Sequence, residues 1–224
     1  QGHTDEQWFY SWKYNVTREN EQLQQATSNI EATKNATLTA TEQDVTLRGA
    51  KVSASNALNI DAKRDVQLSG LIEREKTSER GNQRNHTSSL RTGSWSNSNE
   101  TESLKSSSVF SGGDLAIKAG NRVVGQGTKV YASGDLKVDA NDQINIGVQK
   151  TANEKTVRDN KTSWGGIGGG NNQDNSNRRE VSNASQVTAD GTLWLNGKQG
   201  VTITGSTVKG AKGGFVAATD GGLR

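Results

Sequence analysis

Apolar residues come along this chain in short alternating sets at fixed spacing. Ile30 is followed by Ala36 and Leu38, then by Val45 and Leu47, and the same beats return at Val52, at Leu58 and Ile60, and at Val66 and Leu68. Within each set apolar and polar positions alternate, which is the period of a half-buried strand. Asp44-Val45-Thr46-Leu47-Arg48-Gly49 recurs as Asp65-Val66-Gln67-Leu68-Ser69-Gly70 at an offset of 21, and Val123 recurs as Ile144 at the same offset. A longer period of 78 relates Val52, Val130 and Val208, then Gly49, Gly127 and Gly205, then Ile60, Val138 and Val216. Units repeated at such a period cannot bury their apolar faces alone and must stack.

Three short strands per ~21 residues, separated by Gly, Asn or Asp, predict an all-β chain wound as a parallel β-helix. Successive turns lie ~4.8 Å apart. The predicted core column is Val45, Leu47, Val52, Leu58, Ile60, Val66 and Leu68 in the first two turns. It continues through Val109, Leu115, Ile117, Val123, Val130, Leu136, Val138, Ile144 and Ile146. Val187, Leu193, Leu195, Val201, Ile203, Val208 and Val216 complete it. Gly214 stands where Leu136 stood, so the last turn reads as weaker.

Two breaks interrupt the ladder, each entering before the strand equivalent to Val52. The expected organisation is therefore one continuous domain: 1–28 as the tail of a preceding insertion, 29–70 as turns one and two, 71–107 as an insertion, 108–148 as turns three and four, 149–185 as a second insertion, and 186–224 as turns five and six, truncated. Two turns rise ~9.6 Å, room for a two-stranded hairpin, so neighbouring insertions would meet edge to edge as one antiparallel sheet stacked along one edge of the helix. Alternation in 71–80 and 99–104 favours hairpin arms, with the glycine run 165–170 as a tip. The competing reading is a flexible Ser/Asn/Gly loop.

Composition narrows this further. Only 29% of residues are hydrophobic, too few for a spherical core, while 26 glycines and no proline suit many turns with no ladder donor removed. With no cysteine, neither disulfides nor cysteine-bound zinc can hold the fold. Basic and acidic residues nearly balance, at 27 and 24, which is no nucleic-acid footprint. No apolar run approaches the ~18 residues of a membrane-spanning helix. The chain reads as a piece of something longer, with neighbouring β-helix repeats at both ends.

The search for chemistry is short. His3 and His86 sit among polar insertion residues with no repeated carboxylate or nucleophile beside them, and 165–170 lacks the Lys-Ser/Thr ending of a phosphate loop. Asp61 and Asp139 share one ladder position, and Asp44 and Asp65 another. Carboxylates repeated in this way read as corner caps on nearby backbone N–H groups. A catalytic cluster would break the repeat at one place, and nothing does. No catalytic residue, cofactor or metal ligand is expected, and the chain reads as no enzyme. Trp8, Trp12, Trp95 and Trp164 lie in the insertions, and only Trp194 is in the ladder, facing outward. The insertion tryptophans leave two readings: contact with glycans or a membrane interface, or mutual packing of the arms.

The phrases Lys63-Arg64-Asp65-Val66-Gln67-Leu68-Ser69-Gly70, Gly112-Gly113-Asp114-Leu115-Ala116-Ile117-Lys118-Ala119-Gly120 and Ser133-Gly134-Asp135-Leu136-Lys137-Val138 resemble the hemagglutinin repeats of filamentous-haemagglutinin-type exoproteins. These are the large proteins of bacterial two-partner secretion, contact-dependent growth inhibition toxins among them. The resemblance covers about residues 29–224. It implies a right-handed helix and a non-catalytic structural segment of a secreted, cell-surface virulence protein. It also implies an outer-membrane secretion partner and a C-terminal toxin region in the parent protein. The role it implies is help in carrying that toxin across the target cell's outer membrane. The alternative is an adhesin segment that binds glycans or a receptor on host or neighbouring cells.

Overall fold

The structure is a computed structural model that describes residues 3–9, 12–85, 91–163 and 170–224, with side chains over 14–84, 92–162 and 170–224. In chain order, β1 (His3–Phe9) and β2 (Trp12–Leu23) come first. Turn one is β3 (Asn29–Ala32), β4 (Ala36–Ala40) and β5 (Val45–Arg48); turn two is β6 (Lys51–Ala54), β7 (Leu58–Ala62) and β8 (Val66–Ser69). The long strands β9 (Leu71–Asn85) and β10 (Arg91–Lys105) follow. Turn three is β11 (Ser108–Ser111), β12 (Leu115–Ala119) and β13 (Val123–Gln126), and turn four is β14 (Lys129–Ala132), β15 (Leu136–Ala140) and β16 (Gln143–Gly147). A second long pair, β17 (Gln149–Ser163) and β18 (Gly170–Asn183), precedes turn five: β19 (Gln186–Ala189), β20 (Thr192–Gly197) and β21 (Gly200–Ile203). Turn six is β22 (Thr207–Gly210), β23 (Gly213–Ala217) and β24 (Gly222–Leu223).

The chain divides into two compact units, one of residues 25–72, 104–150 and 182–224, the other of 1–24, 73–103 and 151–181. The first is a right-handed parallel β-helix of six turns, whose three sheets each contain one strand from every turn. Its register follows the sequence ladder: Val52, Val109, Val130, Val187 and Val208 stand one above another, as do Ile60, Ile117, Val138, Leu195 and Val216.

Inside, the column from Leu47 to Val201 is buried, and Val45, Ile203, Val208 and Val216 pack against it half-buried in the first and the last two turns. Each fully buried Val, Leu or Ile contributes roughly 1.5–3 kcal/mol relative to exposure, an upper bound because the unfolded chain is already partly collapsed. Gly214 pairs with Leu193 in the last turn, so a core side chain is missing there.

Three glycines 78 residues apart turn the chain at one corner with positive φ: Gly49 at 59°, Gly127 at 60° and Gly205 at 54°. A Cβ at Gly49 would sit 2.5 Å from Leu71 Cβ, and one at Gly127 2.7 Å from Leu104 Cδ2 and 2.8 Å from Gln149 Cβ. At those two positions a side chain would be strained by the left-handed turn and would push the roots of the long strands aside.

The second unit is one antiparallel sheet in the order β1-β2-β9-β10-β17-β18. The insertions are hairpin arms, and neighbouring arms pair edge to edge. β2 meets β9 from Trp12↔Asn85 to Leu23↔Arg74, and β10 meets β17 from Arg91↔Ser163 to Thr101↔Asn153. The tip expected at 165–170 falls, apart from Gly170, outside the described residues.

Candidate functional site

The repeated carboxylates join successive turns. Asp44 Oδ1 accepts from the N–H of Asp65 at 3.1 Å, and Asp65 Oδ1 accepts from the N–H of Arg122 at 3.1 Å. The buried Asp65 carboxylate also receives Arg122 Nη2 at 2.9 Å, and this bond is the main cause that raises the Arg122 pKa. At the other corner Asp114 caps Asp135 N–H at 2.8 Å, and Asp135 caps Thr192 N–H at 2.7 Å. The expectation of caps on nearby N–H groups is corrected in one respect: the donor lies one turn up the stack, 21 or 57 residues away. Asp61 and Asp139 occupy no corner. They lie within β7 and β15, where Asp139 accepts from Asn196 Nδ2 at 3.2 Å and pairs with Lys137 at 3.1 Å.

Sequence reasoning missed two serines at the corner where the arms return. The one Ser107 hydroxyl proton lies within reach of the carbonyls of Ser69 at 2.6 Å and Leu47 at 3.0 Å, and Oγ accepts from Ala50 N–H at 3.2 Å. Ser185, also buried, donates to Gly147 O at 2.6 Å and accepts from Thr128 N–H at 3.3 Å. Gln149 likewise brackets Gly70, accepting from its N–H at 2.8 Å and donating to its carbonyl at 3.1 Å. Ser107 and Ser185 thus give the Ala50 and Thr128 N–H groups their acceptors, while the Ser69 and Gly147 carbonyls and the Gly70 N–H keep backbone partners as well. Ser107 and Ser185 are 78 residues apart, a signal already present in the sequence.

In the arm sheet, Trp95 is half-buried and its indole covers Gly81, where a Cβ would lie 2.6 Å from the ring. Gln83 covers Gly93 in the same way. Large side chains thus fill space left by glycines across the strand pair. An open groove of about 520 Å³ crosses this sheet beside Trp95, lined by Asn15, Thr17, Arg80, Asn82, Ser96 and Arg158 among others. Arg74 bonds Glu100 at 2.9 Å and Glu102 at 2.8 Å, and Glu102 also accepts from Ala152 N–H at 2.8 Å. The Arg74 hydrogen bond is the first cause that holds the Glu102 carboxyl below its ordinary value. Trp8 and Trp12 lie outside the described side chains, and Trp164 and His86 outside the described residues, as does the side chain of His3.

On the helix's outer surface, Trp194 stands half-buried between the inward Leu193 and Leu195, in register with Lys137 and Phe215. Phe110 and Tyr131, neighbours on β11 and β14, stack with ring centroids 5.4 Å apart and planes 14° from parallel. The Tyr131 hydroxyl donates to Asp190 Oδ2. Among the described residues there is no group of three or more His, Cys, Asp or Glu that could hold a metal ion.

Comparison with known proteins agrees with this repeat architecture. The family described as Hemagglutinin repeat matches residues 11–94 and 87–221. A protein named Hemolysin from Serratia marcescens is 65% identical over 224 residues, all of this chain and 14% of that protein. A Hemolysin from Proteus mirabilis is 54% identical over 217 residues, 97% of this chain and again 14% of that protein. The chain therefore spans about one-seventh of the length of these relatives. No solved structure matches it. The chain belongs to the hemagglutinin-repeat family.

Proposed function

We infer that this chain is a non-catalytic structural segment of a large secreted bacterial exoprotein exported through an outer-membrane partner. One observation carries the reading: the carboxylates and serines that recur at the corners are spent on tying one turn to the next. Asp44, Asp65, Asp114, Asp135, Ser107 and Ser185 all bond backbone groups of neighbouring turns. A stack so built is a spacer and support. The arms add a sheet that lengthens with each 78-residue unit.

Within that exoprotein the segment supports an activity carried elsewhere in the chain as that activity is brought to a target-cell membrane. Relatives named Hemolysin favour an activity directed at membranes. Passage of a C-terminal toxin across the outer membrane of a neighbouring bacterium is the more specific form of the same role. The adhesin reading draws on the open polar groove beside Trp95.

Deleting residues 52–129, one complete unit, from the full-length parent separates these readings. Surface display, target-cell binding and target-cell damage are scored independently. The delivery role predicts that display and binding persist while damage is lost. Loss of binding with display intact makes the segment an adhesin. Undiminished damage contradicts both.

A further inference from the structure

Phe110 is 40% exposed although its neighbours above and below along the strand, Val109 and Ser111, are buried in the helix. One face of its ring is covered by Tyr131, which is itself anchored by its bond to Asp190. The near-parallel stack aims the other face along the column of turns, toward Ser53, the residue in register on the next strand. Ser53 is small, and the residue in register beyond it is Glu31, whose Oε1 accepts from Lys51 Nζ at 3.3 Å.

Phe110 and Glu31 are thus two strand spacings apart, ~9.6 Å, with a short side chain between them. The result is a notch of about 400 Å³ on the outer face of the helix, lined by Glu31, Thr33, Lys51, Ser53, Ser55 and Phe110. That volume is within the ~300–1,000 Å³ of small-ligand sites. One wall is an aromatic face, the floor carries hydroxyls, and the opposite wall is a carboxylate and an ammonium that already neutralise each other.

We propose that this notch binds one uncharged pyranose ring of a cell-surface glycan, with the sugar stacked on Phe110 and its hydroxyls bonded by Glu31, Lys51 and Ser53. The negative face of an aromatic ring attracts the weakly positive C–H groups on a sugar's flat side. Carbon contacts at ~3.5–4.0 Å place that sugar above Ser53, where the strand spacing leaves a gap one ring thick. With one carboxylate and one ammonium on its wall, the notch carries no net charge, which suits a neutral polyhydroxyl ligand that bonds both. Tyr131 is a positioning residue that braces the ring from behind. The site is independent of the delivery role.

The test uses the 224-residue chain and saturation-transfer NMR with methyl β-galactoside, methyl β-glucoside and N-acetylglucosamine. An array then presents bacterial lipopolysaccharide-core oligosaccharides in one arm and host-type neutral glycans in the other, which identifies the source of the sugar. Binding to at least one neutral saccharide is expected, about tenfold weaker in Phe110→Ala and retained in Phe110→Tyr. Ser53→Tyr fills the gap with a third ring and abolishes binding while the protein melts no lower than wild type. Phe215→Ala, at another exposed aromatic, leaves binding unchanged. Indifference to both Phe110→Ala and Ser53→Tyr overturns the proposal. So does failure to bind any neutral sugar, including the case where acidic sugars or peptides bind instead.

Discussion

The helix and the arm sheet are both β-structure, yet different forces hold them. In the helix the inner turns send Val, Leu and Ile into a buried column, which the first and last turns cover only in part. The arm sheet has Trp95 over Gly81, Gln83 over Gly93, and ion pairs such as Arg74 with Glu100 and Glu102 at or near the surface. Strand pairing is common to both units; what differs is what each sheet buries on its faces.

The largest effect should follow a charge placed in the column. Leu58 is fully buried, so Leu58→Asp strands a carboxylate in an apolar layer and should cost several kcal/mol, seen as loss of the helix's cooperative melt. An unchanged melting temperature would refute the register. Next comes Ser107→Ala, which takes from the buried Ala50 N–H its acceptor and removes the hydroxyl's bonds to the Ser69 and Leu47 carbonyls, and should cost ~1–3 kcal/mol in urea unfolding. Gly127→Ala places a methyl group at φ 60° against Leu104 and Gln149 and should cost ~1–2 kcal/mol by the same measurement. A neutral outcome would mean the arm root yields freely.

The smallest effect belongs to the arms. Glu102→Gln should cost less than ~1 kcal/mol, because Arg74 is half exposed and its pairing is screened. This pair also has a pH signature. Arg74 lowers the Glu102 pKa in the folded sheet, so the stabilisation is present above the unfolded glutamate value and fades as pH falls through the lowered one. Carboxyl NMR of Glu102 during acid titration should show that shift. A titration at the unperturbed glutamate position would mean the pair does not form in solution.

The helix was legible in the sequence for the reason that makes it stable: Val52, Leu58 and Ile60 recur with the period of the turns, and burial writes that period into residue type. Gly49, Gly127 and Gly205 were legible as a period, but the arm roots that require them were not, since Leu71 and Leu104 approach only in three dimensions. Ser107 and Ser185 share the 78-residue period, but a buried hydroxyl bonded to backbone has no composition of its own to mark it. Trp95 over Gly81 depends on hairpin register, which alternation within 99–104 does not reveal. Phe110 and Tyr131 lie 21 apart, the ladder offset itself, but the apolar alternation did not single out this outward pair, and only the register shows them stacked.

Residue-resolved native-state hydrogen exchange tests the central claim most directly, that an apolar-cored helix and a seamed sheet of hairpin arms are held by different forces. Amides of β7, β12, β15 and β20 should exchange only on global unfolding. Amides at the β2–β9 and β10–β17 seams should be protected, but open at lower free energy. Seam amides exchanging as fast as free chain would contradict the arm sheet, and uniform protection across both units would contradict the distinction drawn between them.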